Sequence, residues 1–397
     1  YGTSEQTMFL TGTIILSVFV GTLTLTGSFI AFGKLQGFIS GQPIVFPGQQ
    51  ILNALLALSL LVASCGSEES GQSSGEEWPD KIVFGFVPSQ EQEALQDDIQ
   101  PMMDHLTQKL GIEVEGVVTT DFVGLGTAMG TGQADLGAFG PAGFVMAQQK
   151  FGNMSVMAQA IRYGAPTYHG QWMTNDSSIC NPGTLKSGTA LINGSDGMEQ
   201  VSAIDSVALQ VGVYFGDSGK ALGETVDAGT VSPGMSCMAD ISNVIGKTVA
   251  FTNESSTSGY QYPTLQLRNA GIADDQYEKV FAGGHDGSVA AVYNGDADFG
   301  VAYDDARRTM RKTNPDVGDK VIVFNLTSEI PNDVVAVRTD LPDSLKGAIY
   351  YNMDAYLKTE EGEAVSDEVF GWTDMQVAKD SDFDVVREAN EKLGIND

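Results

Sequence analysis

Three hydroxyl residues in a row, Ser256, Thr257 and Ser258, followed by Gly259 and Tyr260, close the short apolar run Lys247 to Phe251 and open what reads as a helix. The free N–H groups and positive dipole end at such a start favour a phosphate-like oxyanion, and the hydroxyls can donate to the same group. Gly259 removes a Cβ where a ligand would come close. A second stretch, Ala282-Gly283-Gly284-His285-Asp286, follows its own apolar strand and adds an imidazole. An ordinary Ser/Thr helix cap accounts for one such stretch taken alone; the rest of the chain bears on whether an anion is captured here.

The chain has 397 residues, with 21 Lys+Arg against 51 Asp+Glu and a formal charge of −30. No basic run is long enough to track a polyphosphate backbone, so nucleic acid is excluded as a partner. An acidic surface repels anions at long range, and an anion site must then rest on local N–H and hydroxyl donors. Catalysis finds little support. No Gly-x-Ser-x-Gly elbow sits between a strand and a helix, the Ser/Thr cluster has no adjacent base in sequence, and the three histidines do not fall in a metal-ligand spacing. No Gly-x-Gly-x-x-Gly turn is present to cradle a dinucleotide, and no metal or cofactor is expected.

From Lys81 onward, short apolar strands alternate with amphipathic helices: Ile82 to Val87, Glu93 to Leu110, Glu113 to Val118, Phe122 to Gly130 and Asp135 to Phe139. This is a βαβ series with a parallel sheet. A second series follows Arg162, with strands near Thr248 to Phe251, Lys279 to Ala282, Phe299 to Ala302 and Val321 to Phe324. This soluble part is about twice a typical domain, which divides naturally into two lobes. Between Asn175 and Asn243 the pattern gives way to Gly, Ser, Asp and Thr, with Cys180 near the start and Cys237 near the end. A loop of that length needs a staple or a function.

The stretch before Lys81 reads differently. Ile51 to Ser64 is apolar but short for a bilayer span, and Val62-Ala63-Ser64-Cys65 resembles a bacterial lipobox, in which the cysteine is lipid-modified. The Ser/Gly/Glu run from Gly66 to about residue 79 then resembles the usual flexible tether, and the chain is expected to be exported and lipid-anchored through Cys65. Setting Cys65 aside leaves Cys180 and Cys237 as an even pair in a disulfide-permissive compartment; they are read as a bridge, with two free buried thiols as the alternative. Met8 to Phe32 is long and apolar enough to span a membrane, and Thr22 to Gln49 resembles the membrane region of the proton-translocating nicotinamide nucleotide transhydrogenase beta subunit. Residues 1–50 are therefore read as a foreign or fused segment.

Beyond the tether, several motifs occur together: Ile82-Val83-Phe84-Gly85-Phe86-Val87-Pro88-Ser89, Thr120-Asp121-Phe122, Gly140-Pro141, Ser256-Thr257-Ser258-Gly259-Tyr260, Gly284-His285-Asp286, Tyr303-Asp304-Asp305 and Ile330-Pro331-Asn332-Asp333. In these the chain, from Ile82 to about Leu357, resembles the substrate-binding proteins of phosphonate, phosphite and phosphate ABC transporters. The resemblance implies an α/β, type II periplasmic binding protein fold, with two α/β lobes joined by two crossover strands and closing on a ligand like a hinged trap. Residues 80–166 and 334–397 would make the first lobe, and 167–333 the second, with a long insertion at 176–243.

It further implies that the protein captures a small phosphorus oxyanion and delivers it to a permease, acting as a monomer. Another small anion, or service as a sensor's binding lobe, is the alternative. Carried over, Ser256, Thr257 and Ser258 donate to the phosphorus oxygens, His285 supplies an imidazole donor, and Tyr168 sits at the first crossover. Asp333 at the second crossover accepts from a ligand P–OH or amine. Asp305 would face the ligand's amino end, beside Tyr303 and Asp304, either aspartate being able to point inward. Phe122 stands where aminophosphonate binders have a tyrosine, and it has no hydroxyl to give.

Overall fold

Strand β1 (Lys81–Phe86) is apolar on both sides: Ile82, Phe84 and Phe86 enter one cluster, and Val83 packs against another across the sheet. A strand of that kind is stable only with layers on both of its faces. The coordinates are a computed structural model, which describes residues 77–89, 92–162, 164–187, 225–226, 228–369 and 371–395. The apolar segments of the first fifty residues, Cys65 and the tether up to residue 76 lie outside the described residues, as do residues 188–224 of the insertion.

After β1 come β2 (Glu113–Val118), β3 (Leu136–Phe139) and β4 (Met154–Arg162), with helices Gln92–Asp98, Gln100–Leu110, Phe122–Gly130 and Pro141–Phe151 between them. The single helix expected from Glu93 to Leu110 is two, because Pro101 in the first turn of the second has no N–H to continue the first. The chain then crosses to a second sheet through β5 (Thr167–Thr174). There it adds β6 (Lys186–Ser187) and then, after β7 (Thr225–Val226) and β8 (Gly229–Thr230), which pair with each other in a separate two-stranded sheet, β9 (Met235–Ser236), β10 (Thr248–Phe251), β11 (Glu278–Phe281), β12 (Phe299–Tyr303) and β13 (Ile322–Pro331). It returns through β14 (Val334–Arg338) and ends with β15 (Trp372–Val377) and helix Asp384–Leu393.

One sheet runs β2-β1-β3-β14-β4-β15 and the other β11-β10-β12-β5-β13-β9-β6. Both follow one plan. The first strand lies between the second and third, and the strand arriving from the other lobe pairs antiparallel with the third, β14 with β3 and β5 with β12. In β14, Val335 and Val337 face one apolar cluster and Val334 and Ala336 the other, so each sheet is the middle of a three-layer sandwich.

The two crossovers lie side by side. Asn332 N–H donates to the Pro166 carbonyl at 2.9 Å, its Nδ2 to the Ala165 carbonyl at 2.7 Å, and Ala160 N–H to the Asp333 carbonyl at 2.9 Å. A third tie is the Asp384–Leu393 helix, whose Val386 joins a cluster of the first lobe and whose Ala389 joins one of the second.

The insertion is not wholly a loop. Its ends supply strands: β9 pairs parallel with β13, and β6 antiparallel with β9. Cys180 and Cys237 are disulfide-bonded, with Cα atoms 5.7 Å apart and a sequence separation of 57. Closing a loop of that length is worth about 4 kcal/mol on chain-entropy grounds. Replacing both cysteines by serine should therefore lower the free energy of unfolding by about 4 kcal/mol. Denaturant titration of the oxidised protein and the double variant measures it, and coincident midpoints would show that the bridge contributes nothing.

Candidate ligand-binding cleft

Four chain segments present their amino-terminal ends to one cleft between the lobes. Helices Phe122–Gly130 and Pro141–Phe151 come from the first lobe; the π-helical turn Thr257–Gln261 and helix His285–Asn294 come from the second. The aligned peptide dipoles at such ends attract an anion, although Asp121 already caps Val123 and Gly124 N–H at the first of them. The cleft leaves about 60 Å³ for the centres of water-sized atoms. One water needs roughly 10–15 Å³ on that measure, so on the order of five non-hydrogen atoms fit.

Each hydroxyl of the Ser-Thr-Ser run has its oxygen engaged. Ser256 Oγ accepts from Gly259 N–H at 3.1 Å, Thr257 Oγ1 from Ala142 N–H at 2.9 Å, and Ser258 Oγ from Tyr168 OH at 3.4 Å. Their protons are thereby left to donate. The Thr257 bond also crosses the cleft, placing an oxygen on the first turn of Pro141–Phe151. Gly259 has a different task from the one its sequence position suggests: a Cβ there would lie 2.0 Å from Thr252 Oγ1, so its bareness serves the packing against Thr252, the residue after β10, rather than ligand approach.

His285 is oriented from both sides of its ring. Its backbone N–H donates to the Ser89 carbonyl of the first lobe at 3.1 Å, and its Nδ1 accepts from Tyr303 N–H at 3.2 Å. With Nδ1 an acceptor, the ring proton sits on Nε2. Burial, with a further push from the Arg162 charge, lowers the pKa to about 3, so the ring is a neutral donor at physiological pH.

Asp333 lines the cleft from the second crossover, and Trp372 Nε1 donates to its Oδ2 at 2.9 Å. Burial raises its pKa, against the pull of Arg162 and of the Trp372 bond. Phe122, Val87 and Phe139 form an apolar wall. Tyr168 and Tyr303 line the cleft and also join the apolar cluster behind it, and burial raises the pKa of both phenols.

Asp305 is not at the cleft. Its carboxylate is fully buried and clasped by Arg307, with Nε at 3.0 and 3.1 Å and Nη2 at 2.6 Å, and it also accepts from Gln171 Nε2 at 2.9 Å. Asp304 is turned inward as well, accepting from His169 N–H at 3.3 Å through Oδ1, while Oδ2 is buried without a partner. Neither aspartate lines the cleft. Conversely, Arg162 and Trp372, which the motifs did not single out, do line it. Arg162 is the last residue of β4, where a lone charge at a strand end reads as a solvated terminus. Trp372 is far along the chain from every motif.

The profile of a family described as ABC transporter, phosphonate, periplasmic substrate-binding protein matches residues 84–383. That of the NAD(P) transhydrogenase beta subunit matches residues 2–136, a smaller share of the chain that overlaps β1 and β2. The phosphate-import protein PhnD of Mycolicibacterium smegmatis is 26% identical over 281 residues, spanning 68% of this chain and 69% of that protein. The phosphonates-binding periplasmic protein of Escherichia coli is 20% identical over 333 residues, spanning 83% and 82%. Among solved structures, PhnD1 of Prochlorococcus marinus in complex with methylphosphonate shares the fold, with a TM-score of 0.58 and 19% identity, covering 80% of this chain and 99% of that one.

The buried Asp304 yields a pH test. Burial raises its pKa to about 6, above the unfolded value of roughly 3.9. The native state thus holds more protons between about pH 4 and pH 6, and stability falls as pH rises through that window. Asp304→Asn should be more stable than wild type at pH 7, by up to about 3 kcal/mol, with the gain vanishing near pH 4. Denaturant unfolding across that range checks it; a gain independent of pH would rule out Asp304 as the group responsible.

Proposed function

We propose that this chain, which belongs to the periplasmic substrate-binding proteins of phosphonate ABC transporters, captures a small phosphorus oxyanion between its lobes and hands it to the importer's permease. One observation carries the reading. Ser256, Thr257, Ser258 and His285 all line the cleft, and each has its acceptor function occupied by a protein N–H or O–H. Four donor protons are left for a group that only accepts. A phosphorus oxyanion presents three oxygens as phosphite or a phosphonate and four as phosphate, and the helix starts that frame the cleft complete its bonding.

The size and lining of the cleft narrow the class. Space for on the order of five atoms suits phosphite, phosphate or methylphosphonate, the last being the ligand of the Prochlorococcus protein. The apolar side formed by Val87, Phe122 and Phe139 accommodates hydrogen or methyl on phosphorus. An aminophosphonate fits poorly, because the carboxylate of Asp305 is taken by Arg307 and Phe122 has no hydroxyl. Asp333 accepts from the ligand's P–OH, which favours a group that keeps a proton over sulfate, which has none.

Binding rather than catalysis is the role of these groups. Ser258 meets Tyr168 instead of a base, and His285, with its pKa near 3, is a poor proton acceptor at neutral pH. The protein works outside the cytoplasm as a monomer, held to the membrane through a lipid on Cys65.

Thr257→Ala and Ser258→Ala should each weaken binding by about 1.5–3 kcal/mol, the range for hydrogen bonds to a charged group. Asp333→Asn should shift preference toward sulfate, because an amide donates where a carboxylate accepts. Calorimetric titration of wild type and the three variants with phosphite, phosphate, methylphosphonate and sulfate tests both expectations. Affinities unchanged in all three variants would place the ligand elsewhere.

A further inference from the structure

Arg162 is 6% exposed, at the point where β4 leaves the first lobe. A guanidinium has five N–H donors, and burial is tolerated when they are matched. Within the protein the match is poor. Nη2 donates to the Asp304 carbonyl at 3.3 Å, while Nε is buried without a partner. Further support comes from the charge of Asp333 across the cleft and from two aromatic faces, with the guanidinium carbon 5.3 Å from the Tyr168 ring centroid and 4.8 Å from that of Tyr303. Both rings belong to the second lobe, so a side chain from the first lobe is held against the second inside the cleft.

We propose that the missing partner of Arg162 is the ligand, and that Arg162 is the residue that makes a net negative charge a requirement for capture. The inference rests on the phosphorus-oxyanion reading of the cleft and deepens it. Among the described residues lining the cleft, Arg162 alone carries a full positive charge, since His285 is neutral. With a P–OH given to the Asp333 carboxylate, Arg162 balances the charge that remains on the phosphorus oxygens. Neutral molecules of the same shape leave the guanidinium under-bonded and are rejected. The cation is therefore a cost to the empty protein and a gain to the loaded one.

That opposition separates the proposal from a merely structural role. In the full chain, Arg162→Met should leave the melting temperature of the ligand-free protein unchanged or raise it, because an under-bonded buried charge is replaced by an apolar side chain of similar reach. It should bind methylphosphonate and phosphite about 10- to 100-fold more weakly. Arg162→Lys keeps the charge without the planar fork and should fall between Met and wild type. Thr257→Ala is the control, losing affinity without a rise in melting temperature. Wild-type affinity in Arg162→Met, or equal losses in the Met and Lys variants, would overturn the proposal while leaving the oxyanion reading intact. A ligand-free melting temperature lowered in step with affinity would instead assign Arg162 to holding the crossover. Failure of the wild-type chain to bind any of phosphite, phosphate and methylphosphonate would overturn the oxyanion reading itself.

Discussion

The cleft depends on how two neighbouring strands of chain are stitched together as they pass between the lobes. Asn332 supplies most of the stitching, giving its backbone N–H to Pro166 and its side-chain Nδ2 to Ala165, with Gln159 Nε2 adding a bond to Pro166 at 3.0 Å. These bonds satisfy the Pro166 carbonyl and add a second donor to that of Ala165, which also accepts from Arg162 N–H at 3.0 Å. They also fix three side chains at once. Arg162 and Tyr168 flank one crossover and Asp333 ends the other, so main-chain geometry brings the charges and the phenol at the cleft floor within reach of one another.

A chain carrying a net charge of −30 that nevertheless assembles an anion site must do so by exclusion and short range. At physiological ionic strength the field of the acidic surface fades within about 8 Å, whereas buried donors are screened far less. The acidic groups that come nearest are handled individually. Asp305 is neutralised by the fork of Arg307, and Asp304 is pushed by burial toward its neutral form. Asp333 alone is left to face the cleft, where an acceptor has a use.

Much of the framework was legible in the residues. Phe122–Gly130, Glu113–Val118 and Thr248–Phe251 fall where apolar periodicity puts them, because each has a period-matched apolar face and a turn or cap at its start. Strand β13 was legible only as far as Phe324. Its continuation to Pro331 carries Asn325 and Thr327, which read as loop but are buried with their polar atoms paired to Gln266 and Gly170. The cleft residues in local motifs, Ser256 to Ser258 and His285, were found because a helix start announces itself within a few positions. Arg162 and Trp372 owe their place to topology alone, and nothing within their own neighbourhoods records it. Asp305 misled for the opposite reason: its neutralising partner is two residues away, but a pattern of types does not say which way a carboxylate turns.

The helix Asp384–Leu393 bears on how the lobes are free to move. Bodies joined only by two adjacent strands can both bend about them and twist around them. This helix seats Val386 in one lobe and Ala389 in the other, while Arg268 of the second lobe donates to its last carbonyl and its own Arg387 donates to Gln148 of the first. A third point of attachment set apart from the other two removes the twisting degree of freedom for as long as it holds. Within that limit the two walls of the cleft approach along a single path, and the donors on each arrive in the same register every time.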